Sequence, residues 1–320
     1  MILKFFNKSY FPQYLAIFLL GVAWWLPVLF SHGVQDHREF FAPANFFPDV
    51  LEHWKINGWV TFIAVYLLGY LINKLAGIYG FTDKNSTLTF LFFMAFSSLL
   101  THSLLSFQAL LILMFSYFFT FLLFSHDSQT ENTVRSFDAG FVLGLTGVIY
   151  PPAIFLIVAF WAALLVIGGV SWRNLITGSL GVMAPLFAVY LYYYFSGKET
   201  LFFQVLYNQV HDSLVWLSGL TEDKIFYLGF LAVFFLLGLL SVFSKRKLSV
   251  RLRRFQLILG ILIMATSIVA VLYYDPNFIA FLLPWLALIS GNVFTTVEDS
   301  KRISVLLAVI FVLLLVNNLI

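Results

Sequence analysis

Residues 87–125 read TLTFLFFMAFSSLLTHSLLSFQALLILMFSYFFTFLLFS, which is 39 consecutive positions without an Asp, Glu, Lys or Arg. An α-helix rises about 1.5 Å per residue, so one continuous helix of that length would reach about 58 Å and overshoot a hydrocarbon core about 30 Å thick. The stretch therefore predicts two membrane helices joined by a hairpin at Ser106-Phe107-Gln108. A transmembrane barrel would read instead as short segments of alternating hydrophobicity.

Working outward with the same criterion, apolar runs between charges and turn residues fall at 10–31, 56–73, 87–107, 109–125, 137–150, 152–170, 174–196, 225–243, 255–274, 277–294 and 303–320. The expectation is an all-α, polytopic transmembrane helix bundle of about 11 spans, forming a single integral membrane domain over 1–320. Composition agrees. Of 320 residues 61% are hydrophobic and 10% charged, with a mean hydropathy of +0.95, leaving too little polar surface to coat a soluble globule. The same figures exclude intrinsic disorder and a coiled coil. With no Cys, disulfides, zinc-thiolate sites and thiol nucleophiles are excluded together.

Two local features refine the spans. The fifth is short and ends at Tyr150-Pro151-Pro152, where paired prolines cannot continue a helix and force a tight turn into the sixth. Gly140, Gly144 and Gly147 on that helix would let it press closely against a neighbour, as small residues do in membranes. At the N-terminus Lys4 and Lys8 precede an apolar run in the manner of a secretory signal. Trp24, Trp25 and Pro27 stand where cleavage needs small residues, so this run is expected to remain as an anchor.

Cytoplasmic connections retain Lys and Arg, and here the partition is lopsided. With the N-terminus inside and the C-terminus outside, 14 of the 18 basic residues fall on the inner side, leaving only Arg38, Lys55, Lys198 and Lys224 outside. A multi-pass membrane topology follows as the expected localisation.

The outer face then has two sizeable loops, 32–57 and 197–224, which gather most of the chemistry-bearing side chains. The first, directly after Ser31, opens with His32-Gly33-Val34-Gln35-Asp36-His37-Arg38-Glu39. A carboxylate, imidazoles and a guanidinium this close together can supply a general base, a proton shuttle and a phosphate clamp, or can form a solvated, salt-bridged loop. Asp36, His37 and Glu39 are the candidate catalytic residues and Arg38 a candidate substrate contact. Further along, Phe47, Val50, Leu51 and Trp54 recur at helical spacing opposite Asp49, Glu52, His53 and Lys55, predicting an interfacial helix. In the second loop Phe203, Leu206, Val210, Leu214 and Leu217 make a similar stripe, with Asn208, His211 and Asp212 converging on the other face. Those three, with His102 near the outer end of the third span, complete the candidate substrate-binding set; the alternative is that both helices merely cap the bundle.

On the inner side Lys245, Arg246, Lys247, Arg251, Arg253 and Arg254 are placed to attract anionic lipid headgroups. The run is too short and too close to the bilayer to read nucleic acid, so no nucleic-acid partner is expected. Arg173, beside Trp172, reads as a snorkelling anchor. No metal signature, phosphate loop or nucleophile elbow is present, and no metal or other cofactor is expected. No Asp, Glu, Lys or Arg falls near the middle of a span, although ion-coupled transporters usually bury such groups there.

The block from Phe137-Asp138-Ala139-Gly140-Phe141 through Tyr150-Pro151-Pro152 to Trp172-Arg173-Asn174 resembles the central segment of a family of uncharacterised multi-pass inner-membrane proteins of Bacteroidota, over about residues 70–195. The layout is also similar to the GT-C class of membrane glycosyltransferases, which take sugars from polyprenyl-phosphate donors. That resemblance implies an acidic catalytic residue just after the first span, where Asp36 falls, and a second large outer loop after the seventh span, where 197–224 falls. Asp36 is followed by His37 and not by the second acid of that class's common signature. The implied partners are membrane lipids and a polyprenyl-phosphate-linked sugar. The alternatives are a non-catalytic subunit binding protein partners in an envelope-biogenesis or export complex, and a lipid or small-molecule transporter.

Overall fold

The computed structural model describes residues 5–8, 10–30, 57–125, 133–168, 171–205, 207, 249–273 and 279–296. They are mostly helical, with no strand among the described residues. The α-helices are α1 Phe11–Phe30, α2 Gly58–Tyr79, α3 Leu88–Ser98, α4 Thr101–Leu104, α5 Phe107–Phe124, α6 Thr133–Ile149, α7 Ile157–Gly168, α8 Trp172–Phe195, α9 Val250–Tyr273 and α10 Leu283–Thr296. Short 3₁₀ helices at Pro151–Leu156 and Ala280–Leu282 lead into α7 and α10.

Five of these are long and apolar enough to cross a bilayer: α1, α2, α5, α8 and α9. On α1, α2, α5 and α8 the exposed positions are mostly apolar. On α8 Ile176, Leu180, Met183 and Phe187 are more than half exposed, while Asn174, Gly178, Gly181 and Pro185 are buried. A helix that turns hydrocarbon outward and keeps polar and small residues inward has lipid as its solvent, and the chain is a membrane protein.

Helix ends follow local chemistry more than charge. α2 continues past Lys74 to Tyr79 and stops where Gly80 takes the left-handed conformation (φ 78°), donating its N–H to the Ala76 carbonyl. The run 87–107 is not one helix. α3 ends at Ser98, because the Ser97 and Ser98 hydroxyls bond the carbonyls of Met94 (2.9 Å) and Ala95 (2.7 Å), and tightened turns at Leu99 and Leu100 follow. Eleven residues rise only about 16 Å, half a hydrocarbon core. The expected break before α5 is present, with α5 beginning at Phe107. Segments 225–243 and 303–320 lie outside the described residues.

The chain divides into two compact units. In the first, α1, α2, α3 and α10 pack through rings and a few buried polar bonds. Phe18 meets Phe62 and Tyr66, Tyr66 meets Phe90 at 4.8 Å, and Phe92 stacks on Phe294 at 4.8 Å. Asn292 Nδ2 donates to the Phe81 carbonyl at 2.7 Å. Asn73, buried in α2, donates to the Ser86 carbonyl (3.0 Å) and accepts from the Phe90 N–H (3.3 Å), so one side chain satisfies groups at the start of α3.

The second unit holds α5 from Leu111 on, together with α6, α7, α8 and α9. Its closest contact is between α6 and α8. A Cβ on Gly140 would strike the Gly178 carbonyl oxygen, and one on Gly181 the Phe137 carbonyl oxygen, so the two backbones touch as the glycine spacing predicts. Pro151 and Pro152 end α6 as expected, with Tyr150 extended before them (φ −135°, ψ 91°). α9 is tied down by the Phe124–Phe255 ring contact at 4.6 Å, and Ser116 Oγ donates to the Phe281 carbonyl at 2.8 Å.

Candidate functional site

Asp36, His37, Arg38 and Glu39 lie outside the described residues, as do Asn208, His211, Asp212, Lys245, Arg246 and Lys247. His102 belongs to the four-residue helix α4, immediately after the break that ends α3. Arg251, Arg253 and Arg254 are exposed on the first turns of α9. There Ser249 accepts the Leu252 N–H (3.3 Å) on its hydroxyl and the Arg253 N–H (3.0 Å) on its carbonyl, capping the helix. Arg251 lies over the Phe255 ring, 5.6 Å from its centre, which holds its stem against the protein.

At the foot of the second loop, α8 gives way at Gly197 (φ 66°) to a new helical segment that is described as far as residue 205. Phe202 is buried there with Val189, and its ring sits 5.4 Å from Tyr190. Phe203, on the expected membrane-facing stripe, is 57% exposed.

A polar cavity lies in the first unit, where hydropathy alone gives little hint of it. About 430 Å³ in volume, it is lined by Tyr14 of α1, by Tyr70, Asn73, Lys74, Gly77 and Ile78 of α2, and by Lys84 of the turn beyond. Each wall has a local cause. Tyr70 and Lys74 are one helical turn apart, so the ammonium lies over the ring, 5.3 Å from its centre. Tyr14 packs edge-on against Tyr70 at 5.9 Å, and its carbonyl accepts the Tyr66 hydroxyl at 3.1 Å. Lys84 passes beside Gly77, where a Cβ would lie in ordinary contact, 3.5 Å from the Lys84 Cα. Asn73 has both amide atoms engaged and serves as rigid wall. The signal available in the sequence was the Tyr70, Lys74, Gly77 and Lys84 spacing, which only the turn after Gly80 converts into a pocket.

A second hollow of about 300 Å³ in the other unit is apolar, lined by Trp161, Trp172, Leu175, Ile176, Leu180, Met183 and Ser179, whose hydroxyl accepts the Trp161 Nε1–H at 3.0 Å. Among the described residues no group of His, Asp and Glu is placed to hold a metal ion.

Every Asp, Glu, Lys and Arg within the described helices stands toward an end. Lys74 is in the last third of α2, Arg135 and Asp138 are in the first third of α6, Arg173 opens α8, and the α9 arginines occupy its first turns. The described helices thus carry no ionised group at their centres, where a membrane would make its cost highest. Comparison with known proteins returns no matching family model, curated protein or solved structure.

Proposed function

We propose that this chain is a multi-pass inner-membrane protein of about eleven crossings, N-terminus inside, that acts on lipid-linked sugars at the outer leaflet in the manner of the GT-C glycosyltransferases. The observation that carries the reading is the distribution of charge: ionised groups at helix ends and none at the centre of a described helix. Ion-coupled transporters usually bury such groups at mid-membrane, so their absence from the centres of the described helices favours chemistry at a membrane face over the transporter reading. On the outer face Asp36 takes the proton from the acceptor hydroxyl, with His37 and Glu39 supporting it. The acceptor oxygen attacks the anomeric carbon, and the polyprenyl phosphate departs with the electron pair of the broken glycosidic bond, its charge met by Arg38. His102, Asn208, His211 and Asp212 would line the acceptor side, and the basic run from Lys245 to Arg254 would hold inner-leaflet headgroups.

The test is Asp36→Asn in a strain whose only copy carries the change, read as envelope glycan composition. Loss of a glycan with wild-type protein levels supports the reading. An unchanged profile, where deletion of the whole gene changes it, ends it. The second reading, a non-catalytic subunit of an envelope-biogenesis or export complex, draws on the apolar hollow between Trp161 and Trp172, which has the lining a partner's membrane helix would meet. Purification in mild detergent with a stoichiometric partner would favour it, and a clean monomer would count against it.

A further inference from the structure

We infer that the cavity between Tyr14, Tyr70, Lys74 and Lys84 is a binding site for a phosphate-ester headgroup, at the end of α2 remote from the 32–57 loop and independent of the glycosyl-transfer reading. Both lysines are exposed, so solvent screens their mutual repulsion, and the cavity presents two positive charges that an anion can reach. Neither Lys74 nor Lys84 has a carboxylate partner among the described residues, and Asp83, next to Lys84, is exposed and does not line the cavity. The Tyr14 and Tyr70 hydroxyls also line it, and no other described residue bonds to either, leaving two O–H donors for phosphate oxygens. Lysine is a point-charge binder of phosphate, and tyrosines supply the direction that an ammonium lacks.

The rest of the site is fixed in advance. Asn73 holds the α2 wall to the start of α3, the Tyr66–Tyr14 bond holds α1, and Lys74 is steered by the Tyr70 ring. Opposing the site is the C-terminal end of α2, whose carbonyls repel an anion. That repulsion is lessened because the Ala76 carbonyl accepts the N–H groups of both Gly80 and Phe81, and the Phe81 carbonyl is taken by Asn292. At about 430 Å³ the cavity is at the small end of the roughly 300–1,000 Å³ of ligand sites, room for a headgroup and not for a whole amphiphile. Half-buried tyrosines around it and exposed apolar residues such as Ile78 and Leu71 beside it put the site at the edge of the hydrocarbon, where the headgroup of a phospholipid and a soluble phosphate ester are both within reach.

The experiment uses the full chain in nanodiscs and reads the acylation rate of individual lysines by mass spectrometry, with Lys198 as internal reference. One arm compares phosphatidylcholine discs with discs containing phosphatidylglycerol; the other adds glycerol 3-phosphate to phosphatidylcholine discs. Protection of Lys74 and Lys84 several-fold beyond Lys198 in the first arm alone assigns a lipid headgroup, and protection in the second assigns a soluble ester. Protection in neither overturns the site. Two variants separate a cavity from a generally basic surface. Lys74→Gln with Lys84→Gln should weaken phosphatidylglycerol retention on the order of thirtyfold. Gly77→Leu fills the cavity without altering charge and should abolish the protection; protection that survives it overturns the cavity as the site.

Discussion

Gly140 faces Gly178 so closely across the α6–α8 contact that a methyl group on the first would strike the carbonyl oxygen of the second. The obstacle is backbone, which cannot rotate aside like a side chain. In a bilayer, where lipid is as apolar as leucine, helices adhere through close packing of this kind. Gly140→Leu should therefore destabilise the folded protein by about 1–3 kcal/mol or more, seen as a lowered unfolding midpoint in detergent. Leu180→Ala, on the exposed face of α8, should stay within about 0.5 kcal/mol of the unaltered chain. Equal effects would remove the glycine contact as the organising feature of that helix pair.

Pro185 supplies a second test of the same interface. A Cβ on Gly144 would meet the Pro185 ring at 2.9 Å as well as the Val182 carbonyl oxygen. Gly144→Ala is expected to destabilise, and part of that loss should return when Pro185→Ala makes room. A double-mutant cycle should give a coupling of about 0.5–3 kcal/mol. Strict additivity would mean that the two residues do not share the space.

Asn73 should behave as a cap supplied from a different helix. Thr87, at the N-cap position of α3, makes no cap bond because its hydroxyl donates to the Phe6 carbonyl at 2.8 Å. The Phe90 N–H is left to Asn73 Oδ1, and the Leu88 N–H to Ser86 Oγ. Asn73→Leu strands a buried N–H and the Ser86 carbonyl, costing about 1–3 kcal/mol for each group left unpaired. Asn73→Asp keeps the acceptor and should fall between. Unfolding by sodium dodecyl sulfate titration ranks the three; leucine as stable as asparagine would refute the cap.

What could be read from the sequence divides along physical lines. Length and absence of charge locate α1, α5 and α8 to within a few residues, because lipid penalises any interruption of such runs; α9 starts five residues before the expected 255, its first turns carrying Arg251, Arg253 and Arg254. The end of α2 was legible at Gly80 and misleading at Lys74, since a long lysine can stay in a helix while its head reaches the membrane surface. The break after Ser98 carries no hydropathy signal, because serine is tolerated in membrane helices and acts here through two hydroxyl bonds. The Lys74–Lys84 cavity was hidden for another reason: its parts are ordinary anchors until the turn after Gly80 brings them together. Asp36 and its neighbours remain a sequence reading.

The orientation is open to direct measurement, because the chain has no Cys and any introduced one reports alone. Thr87 bonds the Phe6 and Lys8 carbonyls, which sets the segment before α1 beside the start of α3 and on the same side as the end of α2. Lys8→Cys and Lys84→Cys should therefore share one accessibility whichever way the protein inserts. With the basic residues inside, both should resist a membrane-impermeant maleimide in intact spheroplasts and react after lysis. Lys198→Cys and Arg38→Cys should react before it. If Lys8→Cys and Lys84→Cys label from opposite sides, the α1–α2 return is wrong. If both label from outside and Arg38→Cys from inside, the bundle stands but Asp36 faces the cytoplasm, and outer-leaflet glycosyl transfer falls with it.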